Sequence, residues 1–215
     1  MWKVMTGDFR RLSIGGIYDA IITDPPYGNF YGSQRKKIKH ALVDGDDLDW
    51  LSYFAQRAYE LCPKGPIVMF CDRHHRSKIE TSMKINGNFI NDAVWFKKPW
   101  GIGYNFRPAH EHILMFSKSK TIKAQHYSLS SVLQVNKVGK KLHPTQKPVD
   151  LMLQLVEGLV PEGGVVLDPF MGSGSTGIAC LKSHRRFVGV EKDPLYVKIF
   201  EDRVKNETQE PLTNV

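Results

Sequence analysis

Short apolar runs alternate along the chain with stretches in which apolar residues recur at helical spacing. Ile17 to Thr23 is an apolar run that stops at Asp24-Pro25-Pro26, so it reads as a buried strand ended by its prolines. Residues 28–48 are polar and glycine-punctuated and read as a long loop. Asp49 is placed to cap a helix whose Leu51, Phe54, Ala55, Ala58 and Tyr59 share one face. Pro63-Lys64-Gly65-Pro66 ends that helix, and Ile67 to Phe70 is the next strand. A helix around Ser77–Lys84 and strands at Ala93–Phe96 and His112–Phe116 follow. Residues 118–142 are polar, basic and weakly patterned.

From there the pattern sharpens. Thr145 is placed to cap a helix with Pro148 in its first turn and Val149, Met152, Leu153 and Val156 inward. Gly163-Gly164 turns the chain into the strand Val165-Val166-Leu167, then come a glycine-rich turn, a helix near Thr176–Lys182 and a strand at Phe187–Val190. Asp193-Pro194 opens a last helix, and residues 207–215 are a polar tail. Strands alternating with helices imply an α/β domain with a mainly parallel sheet covered on both faces. The expected organisation is a single domain over residues 1–206.

The glycine-rich turn carries the first chemistry. Asp168-Pro169-Phe170-Met171-Gly172-Ser173-Gly174-Ser175-Thr176-Gly177 lies between a strand and a helix and contains G-x-G-x-x-G. Such glycines permit a tight turn and a close backbone approach by a ligand. Glu191 ends the next strand, where a carboxylate can accept hydrogen bonds from ribose hydroxyls, and Lys192 adjoins it. A nucleoside-containing cofactor is therefore expected. A dinucleotide oxidoreductase would show the same loop, but Asp168 at the strand end would repel a pyrophosphate and attract the ammonium of S-adenosylmethionine. Only one strand–helix unit follows the loop, whereas a dinucleotide fold needs several.

The second chemistry lies at Asp24-Pro25-Pro26-Tyr27, just past a strand end, where open α/β sheets bind ligands. An exocyclic base amine is a poor nucleophile because its lone pair is delocalised into the ring. The Asp24 carboxylate and the Pro25 carbonyl can accept both amine hydrogens and localise that lone pair. Pro25 and Pro26 stiffen the turn and add no competing N–H donors. Tyr27 offers a ring on which an extruded base can stack. A plain proline turn with an aromatic packed on it is the alternative for the tetrapeptide taken alone.

Charge changes the picture in one respect. The chain has 215 residues and a formal net charge of +8, a balance that favours a polyanionic partner. Its hydrophobic content of 41% is that of an ordinary globular protein able to bury a core without disulfides. The 3 Cys are irregularly spaced, which fits a reducing, cytoplasmic setting, and neither an apolar N-terminal signal nor a membrane-length run is seen. Cys62 and Cys71 sit at element ends, so packing is expected of them rather than zinc with His74 and His75. Ser175 and Thr176 lack the G-x-S-x-G elbow of an acyl-transfer nucleophile.

Asp24-Pro25-Pro26-Tyr27 followed by Asp168-Pro169-Phe170-Met171-Gly172-Ser173-Gly174 resembles the amino-methyltransferases of DNA. The order, catalytic motif before cofactor loop, resembles their permuted (beta) class. Gly7-Asp8 resembles the motif whose acidic residue contacts the cofactor adenine. Arg107, Glu111 and the strand after it resemble the motif closing the target-base pocket. His143-Pro144-Thr145-Gln146-Lys147-Pro148 resembles the helix start that holds the cofactor's methionine end. The resemblance spans residues 4 to about 204. It implies a Rossmann-like methyltransferase fold with a seven-stranded sheet, S-adenosyl-L-methionine as cofactor, no metal, and a double-stranded DNA substrate whose base is flipped into the pocket at Tyr27. Asp24, Pro25, Pro26 and Tyr27 are then the catalytic set. Asp8, Asp24, His143, Thr145, Gln146, Lys147, Asp168, Phe170, Gly172, Ser173, Gly174, Glu191 and Lys192 are the cofactor set. Asp at the first tetrapeptide position looks more like the adenine-N6 enzymes than the cytosine-N4 enzymes, which often resemble a Ser-Pro-Pro-Tyr version.

In one respect the chain departs from that family. Only residues 118–142 are available as a target-recognition region, with the loop 28–48 as a second DNA-contacting segment. Arg35, Lys36, Lys37, Lys39, Arg107, His110, Lys137 and Lys140 are the candidate DNA contacts. Solvated loop lysines are the plain alternative for each. So small a region leaves room for low specificity, a short site or readout shared across a homodimer, and a restriction endonuclease is a further candidate partner. The remaining alternatives are methylation of RNA or protein and a non-catalytic DNA-binding relic, which the intact motifs oppose.

Overall fold

The computed structural model describes residues 1–26, 49–98, 101, 105–122, 129–139, 142 and 145–207. Their elements run β1 (Trp2–Thr6), β2 (Ala20–Thr23), α1 (Asp49–Leu61), β3 (Ile67–Cys71), α2 (Arg76–Lys84), β4 (Asn88–Phe96), β5 (His110–Ser117), β6 (Val132–Gln134), α3 (Val149–Leu159), β7 (Val165–Asp168), α4 (Ser175–Lys182), β8 (Arg186–Glu191) and α5 (Pro194–Glu207). The strands form one sheet in the order β1-β8-β7-β2-β3-β5-β4-β6. β1, β8, β7, β2 and β3 are mutually parallel, β5 runs antiparallel to β3 and β4, and β6 joins β4 in parallel.

Strand alternation divides the apolar residues between two cores. Ile21, Ile67, Met69, Leu114 and Leu167 face one layer with α1 and α2 residues such as Leu51, Phe54, Ile79 and Met83. Ala20, Ile22, Val68, Phe70, Ile113 and Val166 face the other, with Leu151, Leu155, Ile178 and Phe200 of α3, α4 and α5. The five residues expected to line one face of α1 are all buried. No helix among the described residues is long and apolar enough to cross a membrane.

Four expectations need correction. Among the described residues the sheet has eight strands, because Val132–Gln134, inside the segment read as weakly patterned, pairs with Val94–Phe96 and buries Leu133. Three residues are too few for a periodic signal. β1 was also invisible, being short and terminal, yet it pairs along its length with β8. The strand read as Ile17–Thr23 begins only at Ala20. Ile17 is exposed, while the Tyr18 and Asp19 amides bond outward to the Leu61 and Val165 carbonyls. Thr145 does not cap α3. Pro148 stands at the N-cap with ψ 138° and no side-chain cap, so the helix starts at Val149. Proline disfavours helical backbone at the residue before it, which keeps Lys147 outside the helix.

The glycine loop is shaped as much by packing as by any ligand. Gly172 and Gly174 have φ of 52° and 76°, a region that favours glycine. A Cβ on Gly174 would lie 2.1 Å from the Phe200 ring, and one on Gly177 2.6 Å from it. Phe200 is fully buried and meets Trp2 and Phe187 at ring-centroid distances of 5.4 and 5.5 Å. It thus ties α5, β1 and β8 to the loop. Phe200→Ala is expected to cost about 3–5 kcal/mol in urea unfolding. A loss below about 1 kcal/mol would show that the loop does not lean on this ring.

Candidate active site

Parallel pairing aligns the carboxyl ends of β1, β8, β7 and β2, and an acidic residue stands at each. Asp8 follows β1, Glu191 ends β8, Asp168 ends β7 and Asp24 follows β2. Four neighbouring strands thus deliver four carboxylates to one edge of the sheet, at the end where open α/β sheets bind ligands. The Asp24 charge opposes that of Asp168, and each of the four carboxylates is stabilised differently.

Asp8 is held by Arg10. Its Oδ2 accepts from Nη2 at 2.6 Å, and its Oδ1 accepts from the Arg10 backbone amide at 2.9 Å and from Nε at 3.0 Å. These bonds hold the carboxyl down at about 2. Glu191 turns inward: Oε2 accepts from the Gly172 amide at 2.9 Å and Oε1 from the Asp193 amide at 2.8 Å. Burial raises its pKa against those bonds. Asp168 is 3% exposed, and its Oδ1 accepts from Thr23 Oγ1 at 2.7 Å and from the Phe170 amide at 3.1 Å. Its Oδ2 accepts from Thr176 Oγ1 at 2.7 Å. Burial pushes it from the ordinary 3.8 to about 6 despite the three bonds. Neither Glu191 nor Asp168 forms an ion pair with a cation among the described residues.

Asp24 is balanced by a half-buried chain of charges that runs through the buried Lys147. Lys147 Nζ bonds to Asp24 Oδ2 and lies 3.3 Å from Glu111 Oε2, while Lys97 Nζ bonds to Glu111 Oε1. The Lys147 ammonium sits 5.0 Å from the centre of the Phe70 ring. Burial opposes its charge, but Asp24 and Glu111 more than offset this and raise its pKa. Burial likewise works against the Glu111 charge, and Lys147 and Lys97 bring its pKa below the ordinary value. α3 starts too late to carry Lys147, whose position comes from the extended chain before Pro148. There its carbonyl accepts a 2.7 Å bond from Ser175 Oγ.

The loop itself is fastened from behind. Arg203 of α5, 5% exposed, donates from Nη1 to the Ser173 carbonyl at 2.8 Å. Phe170 projects into an aromatic group, with ring centroids 5.6 Å from Trp50 and 6.0 Å from both Phe9 and Phe54. Gln146 is buried and accepts from the Leu142 amide at 2.8 Å.

Of the residues read from sequence, Asp8, Asp24, Pro25, Pro26, Lys147, Asp168, Phe170, Gly172, Ser173, Gly174 and Glu191 lie along or behind this edge. Lys192 is exposed, close enough for its charge to lower the Asp8 pKa. Thr145 is exposed. Arg107 is exposed and donates to the Gly101 carbonyl at 3.0 Å, and His110 is exposed at the start of β5, 5.1 Å between rings from His112. Lys137 follows β6. Tyr27, Arg35, Lys36, Lys37, Lys39, Lys140 and His143 lie outside the described residues. Lys97, Thr23 and Arg203 were not legible as site residues. Lys97 could have been found only through the register that sets Trp95 opposite Glu111. The three cysteines are buried, and burial raises the pKa of Cys62 and Cys71 to about 12, as packing thiols require. No cluster able to hold a metal occurs among the described residues.

An open, mainly parallel α/β sheet with a glycine loop and a row of carboxylates at its carboxyl edge defines a nucleoside-cofactor domain suited to a cation rather than a pyrophosphate. Residues 18–202 match the N6_N4_Mtase family of DNA methylases, and the chain belongs to that family. It is 30% identical to the candidate methylase YubD of Escherichia coli strain K12 over 200 residues, 89% of this chain and 85% of the relative. It is 28% identical to the type II methyltransferase M.HpaI of Haemophilus parainfluenzae over 220 residues, 88% of this chain and 68% of that one. The solved complex of M1.HpyAVI with SAM superposes with a TM-score of 0.70 at 25% identity, covering 94% of this chain and 100% of that chain.

The buried Asp168 gives a stability test. Its folded pKa, about 6, lies above the ordinary 3.8, so folding favours the protonated acid. The penalty is absent below about pH 4, grows between pH 4 and 6, and is complete above. Asp168→Asn should therefore stabilise the protein at pH 7.5 by on the order of 3 kcal/mol, with the gain vanishing near pH 4. Equal gains at both pH values in urea unfolding would contradict a buried, costly charge.

Proposed function

We propose that this DNA methylase transfers the methyl group of S-adenosyl-L-methionine to N6 of an adenine flipped out of double-stranded DNA. The observation that carries the reading is the row Asp8–Glu191–Asp168–Asp24. The cofactor is a nucleoside bearing both an ammonium and a sulfonium, and a carboxylate edge beside a glycine loop fits its charge. Asp168 is the candidate partner of the ammonium, Glu191 of the ribose hydroxyls, and Asp8 with the aromatic group around Phe170 of the adenine. When bound, the cofactor supplies an electrophilic methyl group, released with the C–S bonding electrons returning to sulfur.

The chain's own residues orient and polarise the nucleophile. Asp24 and the Pro25 carbonyl accept the two hydrogens of the amine and turn its lone pair toward the methyl group. Nitrogen gains the new N–C bond and afterwards loses one proton to water, so no strong base and no covalent intermediate are needed. Tyr27 is the candidate stacking ring. Residues 1–206 act as one catalytic domain. Residues 28–48 and 118–142, with Arg107, His110 and Lys137, meet DNA, and a homodimer would extend so small a recognition surface.

Adenine is preferred because the tetrapeptide begins with Asp24. Cytosine N4, the other amine in the family's name, is the second reading. Expression in a methylation-deficient bacterial host, with mass spectrometry of nucleosides from its digested DNA, tests both. N6-methyladenine is expected with the native protein. Asp24→Ala should lower transfer by roughly 10²–10³-fold while cofactor binding persists. N4-methylcytosine would overturn the base, and full activity in Asp24→Ala would overturn the mechanism.

A further inference from the structure

The chain Lys97–Glu111–Lys147–Asp24 has two cations and two anions in strict alternation, with Lys97 just after β4, Glu111 in β5, Lys147 in the extended chain before α3 and Asp24 just after β2, brought together only by the fold. Its side chains are largely covered, from 9% exposed at Lys147 to 25% at Glu111. Within it Lys147 has two carboxylate partners, one on the residue that would receive the base amine and one on β5 opposite. Lys97 fixes the far oxygen of Glu111, so the near oxygen is held toward Lys147. The Phe70 ring forms the floor under the ammonium.

We propose that Lys147 is a positioning residue for Asp24: its ammonium keeps the carboxylate charged and aimed in the resting site, and shifts its hydrogen bond to Glu111 when the base amine arrives. The inference rests on the function proposed above for Asp24, and concerns a group that the sequence assigned to the cofactor's methionine end. A lysine already shared between two carboxylates can give one up without becoming an unpaired buried charge, which would otherwise be strongly unfavourable. Glu111 and Lys97 are what make that exchange cheap. Among the described residues, the other titratable groups facing Asp24 give it no further cation. Asp168, on β7, is close enough for the two charges to repel, and Cys71 at the end of β3 is a neutral thiol that adds no cation.

The expected consequence is a shift in the Asp24 titration with opposite sign for two substitutions. The Asp24 carboxyl ¹³C resonance, assigned by its loss in Asp24→Asn, can be followed against pH in the full ¹³C-labelled chain. Lys147→Met removes the neighbouring cation, so the midpoint should rise by about 1 pH unit or more, and Lys147→Arg should restore it. Glu111→Gln removes a competing anion and leaves Lys147 to Asp24, so the midpoint should fall. In methyl transfer at saturating cofactor, the acidic limb of the kcat profile should move with the same signs. An unmoved midpoint in both Lys147→Met and Glu111→Gln overturns the proposal, as does loss of cofactor affinity in Lys147→Met with the Asp24 midpoint unchanged, which would return Lys147 to the cofactor. If Lys147→Met does not fold, the Glu111→Gln midpoint decides alone. The titration needs no turnover, so an inactive native protein would count against the proposed function and leave this test standing.

Discussion

Burial of acidic side chains at one edge of the sheet is the constraint around which the candidate site is built. Parallel strands β1, β8, β7 and β2, spaced about 4.8 Å apart, each end in or lead into an acid, and taking a carboxylate out of water is costly unless its charge is met. Each therefore has its own remedy: an arginine clamp for Asp8, backbone amides for Glu191, two threonine hydroxyls and an amide for Asp168, a buried lysine for Asp24. Asp168 and Glu191, in the middle of the row, lack a cation among the described residues, and burial raises the pKa of both. Carboxylates whose pKa values burial raises, set at the ligand-binding end of an open sheet, mark a candidate site where a cation would offset the cost of their burial.

The packing on the far side of the sheet serves that edge. Phe200 fills the space the glycines leave, and Arg203, one turn further along α5, bonds the Ser173 carbonyl, so a single helix fixes the loop's backbone from behind. The glycine pattern thus answers first to α5. Its use toward a ligand depends on the face the loop turns to the strand ends, where the Gly172 amide already points at Glu191.

Where most of the candidate site lies was legible because its placement depends on local pattern. Asp24-Pro25-Pro26 and Asp168 through Gly174 each sit at a strand end whose apolar run is plain in the chain, so their placement followed from the runs. The charge chain was not legible. Lys147 was visible as part of a motif, but its partner Glu111 comes from an antiparallel strand 36 positions earlier, and Lys97 becomes relevant only once Trp95 is known to lie opposite Glu111. Register across a sheet is a tertiary fact that a local pattern does not carry. β1 and β6 were missed for a related reason: strands of five and three residues show too little alternation, and pairing with β8 and β4 defines them.

If this carboxylate edge selects a cationic nucleoside, its ligand preference must show in direct binding. Calorimetric titration of the full chain with S-adenosyl-L-methionine and, separately, with NAD tests it most directly, with Asp168→Ala alongside. Saturable binding of S-adenosyl-L-methionine, none of NAD, and a marked loss of affinity in Asp168→Ala are expected. Binding of NAD, or S-adenosyl-L-methionine affinity that Asp168→Ala leaves unchanged, would contradict it.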